Sequence, residues 1–174
     1  MANIFLISDT HFGHAGMCQF LLADGSKARP WTDPDEMDQH MIENWNKTVR
    51  PNDKVYHLGD VAIKRAKIAV MQQLNGEKVL IKGNHDIFKA NDYLPFFKDI
   101  RGTHKLDKFL LSHIPLHPFC LDSWVQCNFH GHLHTNHIMD GDKFHPKYLN
   151  LCVENIQYTP IAFESARKKY LGGN

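Results

Sequence analysis

Residue types that bind metal ions recur in five short motifs of this chain, and each motif follows or ends a short apolar run. The motifs are Asp9-Thr10-His11, Gly59-Asp60, Gly83-Asn84-His85-Asp86, Ser112-His113 and Gly131-His132-Leu133-His134. The apolar runs cover residues 4–7, 55–58, 79–81, 109–111 and 127–129, and they are typical of strands. Carboxylate, amide and imidazole groups suit divalent transition-metal ions. We therefore expect these strand ends to converge on one metal-binding site.

The motifs differ in how much each indicates by itself. Asp9 and His11 would project to the same side of an extended backbone, but such a pair more often marks a turn. An isolated His113 would more often be a structural histidine. His132 and His134 are a better signal, because alternate residues of an extended segment can reach two neighbouring ions. The combination of all the motifs is what favours a metal centre.

The segments between the motifs predict alternating strands and helices in the first half of the chain. A helix is expected before Pro51, with Thr32 or Asp33 as its N-cap and Pro34 in its first turn. Its apolar face repeats at a spacing of four residues: Met37, Met41, Trp45 and Val49. A second helix is expected over residues 64–74 and a short one near residues 17–22. The order β-α-β-α-β implies parallel strands joined by helical crossovers.

Beyond residue 99 the helical spacing fades. Turn-forming residues at 101–102, 106–107, 140–142 and 146 predict hairpins. A late strand is expected over residues 147–153. A closing helix over Phe163–Leu171 would be stopped by Gly172 and Gly173. Together these elements predict an α/β fold with the metal-binding residues on loops at the carboxyl ends of strands, where open α/β sheets bind their ligands.

Composition places few further limits on function. We expect residues 1–174 to form one domain, since 174 residues fall within the usual range and 43% are hydrophobic. The net charge of +1 gives no broad electrostatic footprint for nucleic acid, which makes such a partner unfavoured without excluding a local basic patch. The four cysteines are scattered and are expected to be reduced thiols. With no signal segment and no apolar stretch of membrane-spanning length, a cytoplasmic location is expected.

Taken together and in this order, the motifs resemble the signature blocks of the calcineurin-like metallophosphoesterase superfamily. The resemblance spans residues 9–134, and the run over residues 148–154 is similar to the strand that follows the last block in that family. The opening Ser8–His14 stretch is most similar to small stand-alone phosphoesterases of bacteria and phages. The resemblance implies a four-layer α-β-β-α sandwich with mixed sheets. One departure is that Ile63 and Lys64 stand where many members have an acid and an arginine.

The resemblance also implies a centre of two divalent metal ions. Asp9, His11 and His134 would hold the first ion. Asn84, His113 and His132 would hold the second, and Asp60 would bridge the two. Manganese is the first choice for this mixed nitrogen and oxygen set, with iron, nickel, cobalt or zinc as alternatives.

For activity, the resemblance implies hydrolysis of a phosphate ester by a hydroxide that bridges the ions. His85 would assist the leaving group, and Asp86 would orient His85 and keep it cationic. A phosphodiester is favoured over a monoester as the substrate, with nucleotide-type and cyclic nucleotide diesters among the candidates.

Three further residues are candidates for substrate contact, each with an ordinary structural explanation beside it. His14 lies on the loop after His11 and could instead pack under the rim. Arg29 could bind a phosphate with two parallel hydrogen bonds, although most arginines are solvated. His117 could line the cleft beside His113.

Two alternatives to a small-molecule phosphoesterase remain at this point. One is a non-catalytic binding scaffold on the same fold; the presence of His85 argues against it, because the known scaffold of that type lacks this histidine. The other is a nuclease, which the near-neutral charge disfavours. Neither the oligomeric state nor the natural substrate follows from the sequence.

Overall fold

The structure is a computed structural model that describes residues 2–121 and 124–171. It has a mixed α/β fold in which parallel and antiparallel strand pairs occur in both main sheets. The larger sheet has the strand order β11-β1-β2-β3-β4. Its strands are β1 (Ile4–Ile7), β2 (Lys54–His57), β3 (Glu77–Ile81), β4 (Asp99–Arg101) and β11 (Ile161–Ala162). The first four are mutually parallel, and β11 pairs antiparallel with β1 at the edge.

The second sheet has the order β10-β7-β6-β5. Its strands are β5 (Thr103–Leu106), β6 (Phe109–Ser112), β7 (Cys127–His130) and β10 (Tyr148–Asn150). Strands β6, β7 and β10 are parallel, whereas β5 and β6 form an antiparallel hairpin. A separate hairpin joins β8 (Met139–Asp140) to β9 (Lys143–Phe144). One hydrophobic core contains side chains of both main sheets, among them Leu6, Leu80, Phe109 and Phe129.

The first long helix, α1 (Pro34–Thr48), forms as the sequence predicts. The Asp33 carboxylate caps it by accepting a hydrogen bond from the N–H of Asp35 at 2.8 Å. Met37, Met41 and Trp45 are buried along one face, and the Trp45 indole N–H donates to the carbonyl of Asn75 at 2.9 Å. This packing places α1 against the segment that leads into β3.

The second predicted helix differs from expectation, because residues Arg65–Gln73 form a 3₁₀ helix rather than an α-helix. Ile68 and Met71, three residues apart, are both buried there, which suits a helix of three residues per turn. The short helix expected near residues 17–22 is a 3₁₀ turn at Ala15–Cys18. A short helix that was not predicted, α2 (Ala90–Tyr93), follows β3.

The C-terminal half corrects two predicted turns. Pro146 closes no hairpin, because the strands on either side of it, β9 and β10, belong to different sheets. Gly102 does not close a hairpin: β4 belongs to the larger sheet and β5 to the second, so the chain passes between sheets there. The turns near residues 107 and 141 do close the hairpins β5–β6 and β8–β9. The closing helix, α3 (Phe163–Leu171), agrees with expectation, and its predicted stop at Gly172 and Gly173 lies outside the described residues. Across the described chain, every helix is too short or too polar to cross a membrane.

Candidate metal centre

Strand topology brings the five motifs to one edge of the molecule. Strands β1, β2 and β3 are adjacent and parallel, so their carboxyl ends, which carry Asp9, Asp60 and Asn84, lie side by side. Strands β6 and β7 do the same for His113 and His132 in the second sheet. Hydrogen bonds then join the two sets of loops: the backbone N–H of His132 donates to Asp9 Oδ2 at 2.9 Å.

Most of the predicted ligands have an unusual backbone conformation. Asp9, His11, Asp60, His132 and His134 have φ values of 58°, 49°, 56°, 71° and 49°. Left-handed backbone of this kind costs a residue other than glycine roughly 1–3 kcal/mol and is concentrated at functional sites. The fold therefore holds these side chains in positions that relaxed loops would not give them.

Two glycines let the ligand loops approach each other. A Cβ atom at Gly83 would overlap the carboxylate and backbone N–H of Asp60. A Cβ atom at Gly131 would overlap the Ser8 hydroxyl and the Asp9 carboxylate. Both positions therefore require glycine because of space, and the motifs Gly-Asn-His-Asp and Gly-His-x-His begin with it for that reason.

The first group of ligand atoms is formed by Asp9, His11, Asp60 and His134. His11 Nε2 lies 3.8 Å from Asp9 Oδ1 and 3.6 Å from Asp60 Oδ2. His134 Nε2 lies 3.9 Å from Asp9 Oδ1. The ligand atoms of Asp9, His11 and His134 all lie within 4.8 Å of one another, so one ion could contact them together.

The second group is formed by Asp60, Asn84, His113 and His132. His113 Nε2 lies 3.4 Å from Asp60 Oδ2 and 2.8 Å from Asn84 Oδ1. His132 Nδ1 lies 2.9 Å from the same Asn84 oxygen. Asp60 Oδ2 is thus within 4 Å of ligand atoms from both groups. The structure brings all seven predicted ligands together, with Asp60 between the two sets.

Several buried polar atoms of this cluster are unpaired and could contact a cation. Among the described residues, Asp9 Oδ1 and both ring nitrogens of His11 are buried and have no hydrogen-bond partner. The other oxygen of Asp9 is fully used: it accepts from the Ser8 hydroxyl at 2.6 Å and the Cys152 thiol at 3.1 Å, as well as from the backbone. Unpaired buried polar atoms are costly. A divalent ion beside Asp9 Oδ1 and His11 Nε2 would relieve that cost.

The charge state of the carboxylates suits the same purpose. Burial opposes ionisation of Asp9, but the nearby His11 and His113 imidazoles hold its pKa well below the ordinary value. Burial also opposes ionisation of Asp60, and its hydrogen bond and charge interaction with His113 lower the pKa of Asp60 overall. Both acids are therefore anionic near neutral pH, as metal ligands must be.

The structure separates the predicted roles of His85 and Asp86. His85 is exposed, its ring centroid is 5.6 Å from that of His11, and its backbone N–H donates to Asp60 Oδ1 at 2.8 Å. Asp86 is fully buried and turned away from the surface. Its carboxylate accepts three backbone N–H groups, from Asp60 and Gly83 at 2.8 Å and from Val61 at 3.0 Å.

The prediction that Asp86 orients His85 is therefore wrong. Its oxygens are occupied by the backbone of the two loops that follow β2 and β3, and it holds those loops together. Burial raises the pKa of Asp86, and the three backbone donors work against that rise. The residue supports the position of Asp60 without touching the His85 imidazole.

The predicted phosphate contact of Arg29 is also wrong, because Arg29 is fully buried and faces the protein. Its guanidinium donates to the carbonyls of Asp9 at 2.6 Å and Thr10 at 2.9 Å, and to the carboxylate of Glu154 at 2.8 Å. These partners use the donors that a phosphate would need. Arg29 is therefore a residue that holds the loop after β1 and not a substrate ligand.

The other two candidates for substrate contact differ in position. His14 is partly buried with its ring centroid 5.5 Å from that of His11, and burial, aided by nearby cationic groups, lowers its pKa to about 4. It lies beside the first ligand group as a neutral imidazole. His117 is exposed and caps the 3₁₀ turn Pro118–Cys120 by accepting from the Phe119 N–H at 3.3 Å. Its contact with substrate stays a prediction.

Two further histidines have structural roles close to the ligands. His57 is fully buried, lies 3.0 Å from the Thr10 hydroxyl, and has its pKa lowered to about 3 by burial. His130 is fully buried beside the carbonyl of Gly131, and burial lowers its pKa to about 4. Both are neutral near physiological pH, and both contact residues that are adjacent in sequence to the ligands.

Sequence reasoning missed three residues that contact the ligands. Ser8 and Cys152 donate to Asp9, and the Glu154 carboxylate lies 3.1 Å from His134 Nδ1. Ser8 and Cys152 adjoin recognised motifs, but neither residue type by itself signals such a contact. Glu154 is 125 residues from its partner Arg29, so no local pattern could pair them.

Comparison with known proteins places the chain in a family. The uncharacterized protein MJ1445 of Methanocaldococcus jannaschii is 37% identical over 172 residues, covering 94% of this chain and 89% of that protein. The chain belongs to the same family as MJ1445. The Gene 66 protein of Mycobacterium phage D29 is 36% identical over 91 residues, covering 49% of this chain and 41% of the phage protein. No protein-family model matches the sequence.

Solved structures extend the comparison of fold. AQ665, a protein of unknown function from Aquifex aeolicus, has a TM-score of 0.66 at 25% identity over 97% of this chain and 99% of its own. The two proteins thus share a fold over nearly their full lengths. Phosphopantetheinyl hydrolase (PptH) from Mycobacterium tuberculosis has a TM-score of 0.31 at 16% identity over 60% of this chain and 36% of its own, which is too weak a likeness to support an argument.

Proposed function

We propose that this protein is a metal-dependent phosphoesterase of the calcineurin-like type, acting on a phosphodiester. One observation carries the proposal: two groups of potential ligand atoms share Asp60 Oδ2, and the buried atoms Asp9 Oδ1 and His11 Nε2 among them have no hydrogen-bond partner in the described chain. The two main sheets, with helices beside them, are compatible with the four-layer α-β-β-α sandwich of that superfamily.

In this proposal Asp9, His11 and His134 hold one divalent ion, and Asn84, His113 and His132 hold the other, with Asp60 shared. A mixed set of imidazole, carboxylate and amide groups suits manganese first, and iron, nickel, cobalt or zinc as alternatives. A pair of such ions, when bound, supplies the positive charge that stabilises a phosphoryl transition state and lowers the pKa of a nearby water.

The protein's own residues would bind and orient the ester beside this cluster. His85 is exposed and adjacent to His11, so its imidazole could donate a proton to the leaving oxygen. His14, whose ring also lies next to that of His11, is neutral and could accept a hydrogen bond from the substrate or donate one to it. Asp86 and Arg29 would act without contacting the substrate, by holding the ligand loops.

The choice of a diester follows from the openness of the site. Asn84 and His85 are exposed, and His132 and His134 are partly exposed, so a phosphate with a substituent on each side could approach the ligand groups. A small nucleotide-type or cyclic nucleotide diester is the proposed class of substrate. A non-catalytic scaffold and a nuclease remain the alternatives that experiment must distinguish.

The direct test is hydrolysis of bis-p-nitrophenyl phosphate by metal-free protein reloaded with manganese. We expect turnover in the wild type and a decrease of roughly 10²–10⁴-fold in His85→Ala, since that is the range for loss of a general acid. Asp60→Asn should lose activity and at least one bound ion. His40→Ala, which changes another exposed histidine whose contacts include Asn44 and the Trp31 ring and no predicted metal ligand, is the matched control and should retain wild-type turnover.

Two parallel assays separate the alternatives. p-Nitrophenyl phosphate reports monoesterase activity, and digestion of single-stranded DNA reports nuclease activity. A protein that binds two ions yet hydrolyses none of these esters would favour the scaffold. Full activity in both His85→Ala and Asp60→Asn would refute the mechanism.

A further inference from the structure

His134 needs a restraint that the other ligands of its group do not. Its side chain is 33% exposed, whereas those of Asp9, His11 and Asp60 are 0–2% exposed. It also lies on a loop in left-handed backbone, with a φ of 49°. Packing alone therefore fixes its imidazole less firmly than it fixes the buried ligands. A ring that can turn, or exchange its proton between nitrogens, is a weaker ligand.

Glu154 supplies that restraint. His134 Nδ1 lies 3.1 Å from Glu154 Oε1. An ionised carboxylate can only accept a hydrogen bond, so Nδ1 carries the proton. Nε2 then keeps its lone pair, and this is the atom that faces Asp9 Oδ1 at 3.9 Å. The contact selects the tautomer and ring orientation that a metal ligand at Nε2 requires.

Glu154 is itself held in place by Arg29. It lies in the 3₁₀ turn Val153–Ile156, its side chain is 3% exposed, and Nε and Nη2 of Arg29 are both 2.8 Å from Oε1. The same guanidinium donates to the carbonyls of Asp9 and Thr10. A continuous polar chain thus runs from the loop after β1, through Arg29 and Glu154, to the loop after β7.

We propose that Glu154, fixed by Arg29, is the positioning residue that sets His134 as a metal ligand through Nε2. The inference rests on the proposed function in taking His134 to bind an ion. It predicts that the two groups differ in their dependence on Glu154. In the second group, His113 Nδ1 lies 2.8 Å from the carbonyl of Leu58, so a neutral backbone oxygen, and not Glu154, restrains that ring. Loss of Glu154 should weaken one ion and leave the other.

The first measurement is manganese titration of metal-free, full-length protein by calorimetry, with electron paramagnetic resonance to count bound ions. Wild type should bind two ions. Glu154→Ala should weaken one of them by roughly 10–100-fold, the usual effect of losing such a partner. Glu154→Gln, which keeps an oxygen acceptor but loses the charge, should weaken the same ion by less. Asp53→Asn, a carboxylate that accepts from the backbone of Asn3 and Arg50, is the control and should bind like wild type.

The second measurement needs neither metal nor activity. The ¹⁵N shifts of the His134 imidazole in metal-free protein, at a pH where the ring is neutral, should show a proton on Nδ1 in wild type. In Glu154→Ala they should show a mixture of tautomers, which a merely structural loss would not produce. If Glu154→Ala does not fold, Glu154→Gln carries the affinity test alone.

The outcomes distinguish this inference from the function on which it rests. A wild-type protein that binds no divalent ion would remove both the proposed function and the role of His134. Two ions bound with unchanged affinity in Glu154→Gln and in folded Glu154→Ala, and an unchanged tautomer in the latter, would overturn the role of Glu154 alone.

Discussion

Replacing Asp86 with alanine should lower the stability of the folded protein and not merely its catalytic activity. The Asp86 carboxylate accepts three backbone N–H groups, at 2.8, 2.8 and 3.0 Å, and the residue is fully buried. Each buried donor left unpaired costs roughly 1–3 kcal/mol, which sets an upper range of about 3–9 kcal/mol. Water entering the space left by the carboxylate would recover part of this, so we expect a loss of about 3–5 kcal/mol.

That loss is large against the 5–15 kcal/mol by which a typical domain is stable. For a chain of this size, 1 kcal/mol corresponds to about 2–4 °C in melting temperature, so Asp86→Ala should melt roughly 6–20 °C below wild type. Thermal unfolding followed by circular dichroism, in metal-free buffer, is the assay. Asp86→Asn, which can keep an oxygen toward two of the three N–H groups, should lose less.

The control is Asp24→Ala, which removes an exposed carboxylate that accepts hydrogen bonds from its neighbour Ser26 and should leave the melting temperature nearly unchanged. The reasoning fails if Asp86→Ala melts within about 2 °C of wild type while phosphoesterase activity is lost. That result would return Asp86 to the role of orienting His85, which the hydrogen bonds contradict.

Two further predictions concern the metal cluster. Adding manganese at about 100 times its dissociation constant should stabilise the metal-free wild type by about 2.7 kcal/mol for one site. This corresponds to a rise of roughly 5–11 °C in melting temperature. Asp60→Asn should show a clearly smaller rise, and an equal rise would mean that the ion binds elsewhere. Gly131→Ala would push a Cβ into the Ser8 hydroxyl and the Asp9 carboxylate, so we expect lower stability by roughly 1–3 kcal/mol and weaker manganese binding. Gly102→Ala, at a glycine that, like Gly131, is outside the left-handed region but has open space around it, is the comparison that isolates the clash.

The sequence predicts those parts of this fold that depend on local patterns. Helix α1 could be read from the Asp33 cap, the proline after it and the buried stripe ending at Trp45, because each acts within a few residues. The ligands could be predicted because they follow apolar runs that become neighbouring strands. Gly102 was misread because a turn residue looks the same whether the chain returns to its own sheet or crosses to another.

The side chains of Asp86 and Arg29 were assigned to chemistry and proved to hold the backbone instead. Active sites often contain an aspartate next to a histidine, or an arginine near a ligand loop. Residue types alone, however, do not determine the direction in which a side chain points. Their partners are decisive and are distant in sequence: Asp86 bonds the backbone 25 and 26 residues away, and Arg29 bonds Glu154 across 125. Such pairings depend on topology, which local spacing does not encode.

The backbone of the ligands explains why the fold needs such residues. Asp9, His11 and Asp60 lie in left-handed conformations that free loops would avoid. Asp86 binds the backbone N–H of Asp60, and Arg29 binds the carbonyl of Asp9, so a buried charged group stabilises each of these two loops. A cluster that must present unpaired oxygen and nitrogen atoms to a cation cannot use those atoms to stabilise its own loops. The stabilising contacts must come from outside the ligand set, and for that reason Asp86 and Arg29 should govern metal affinity without contacting the metal.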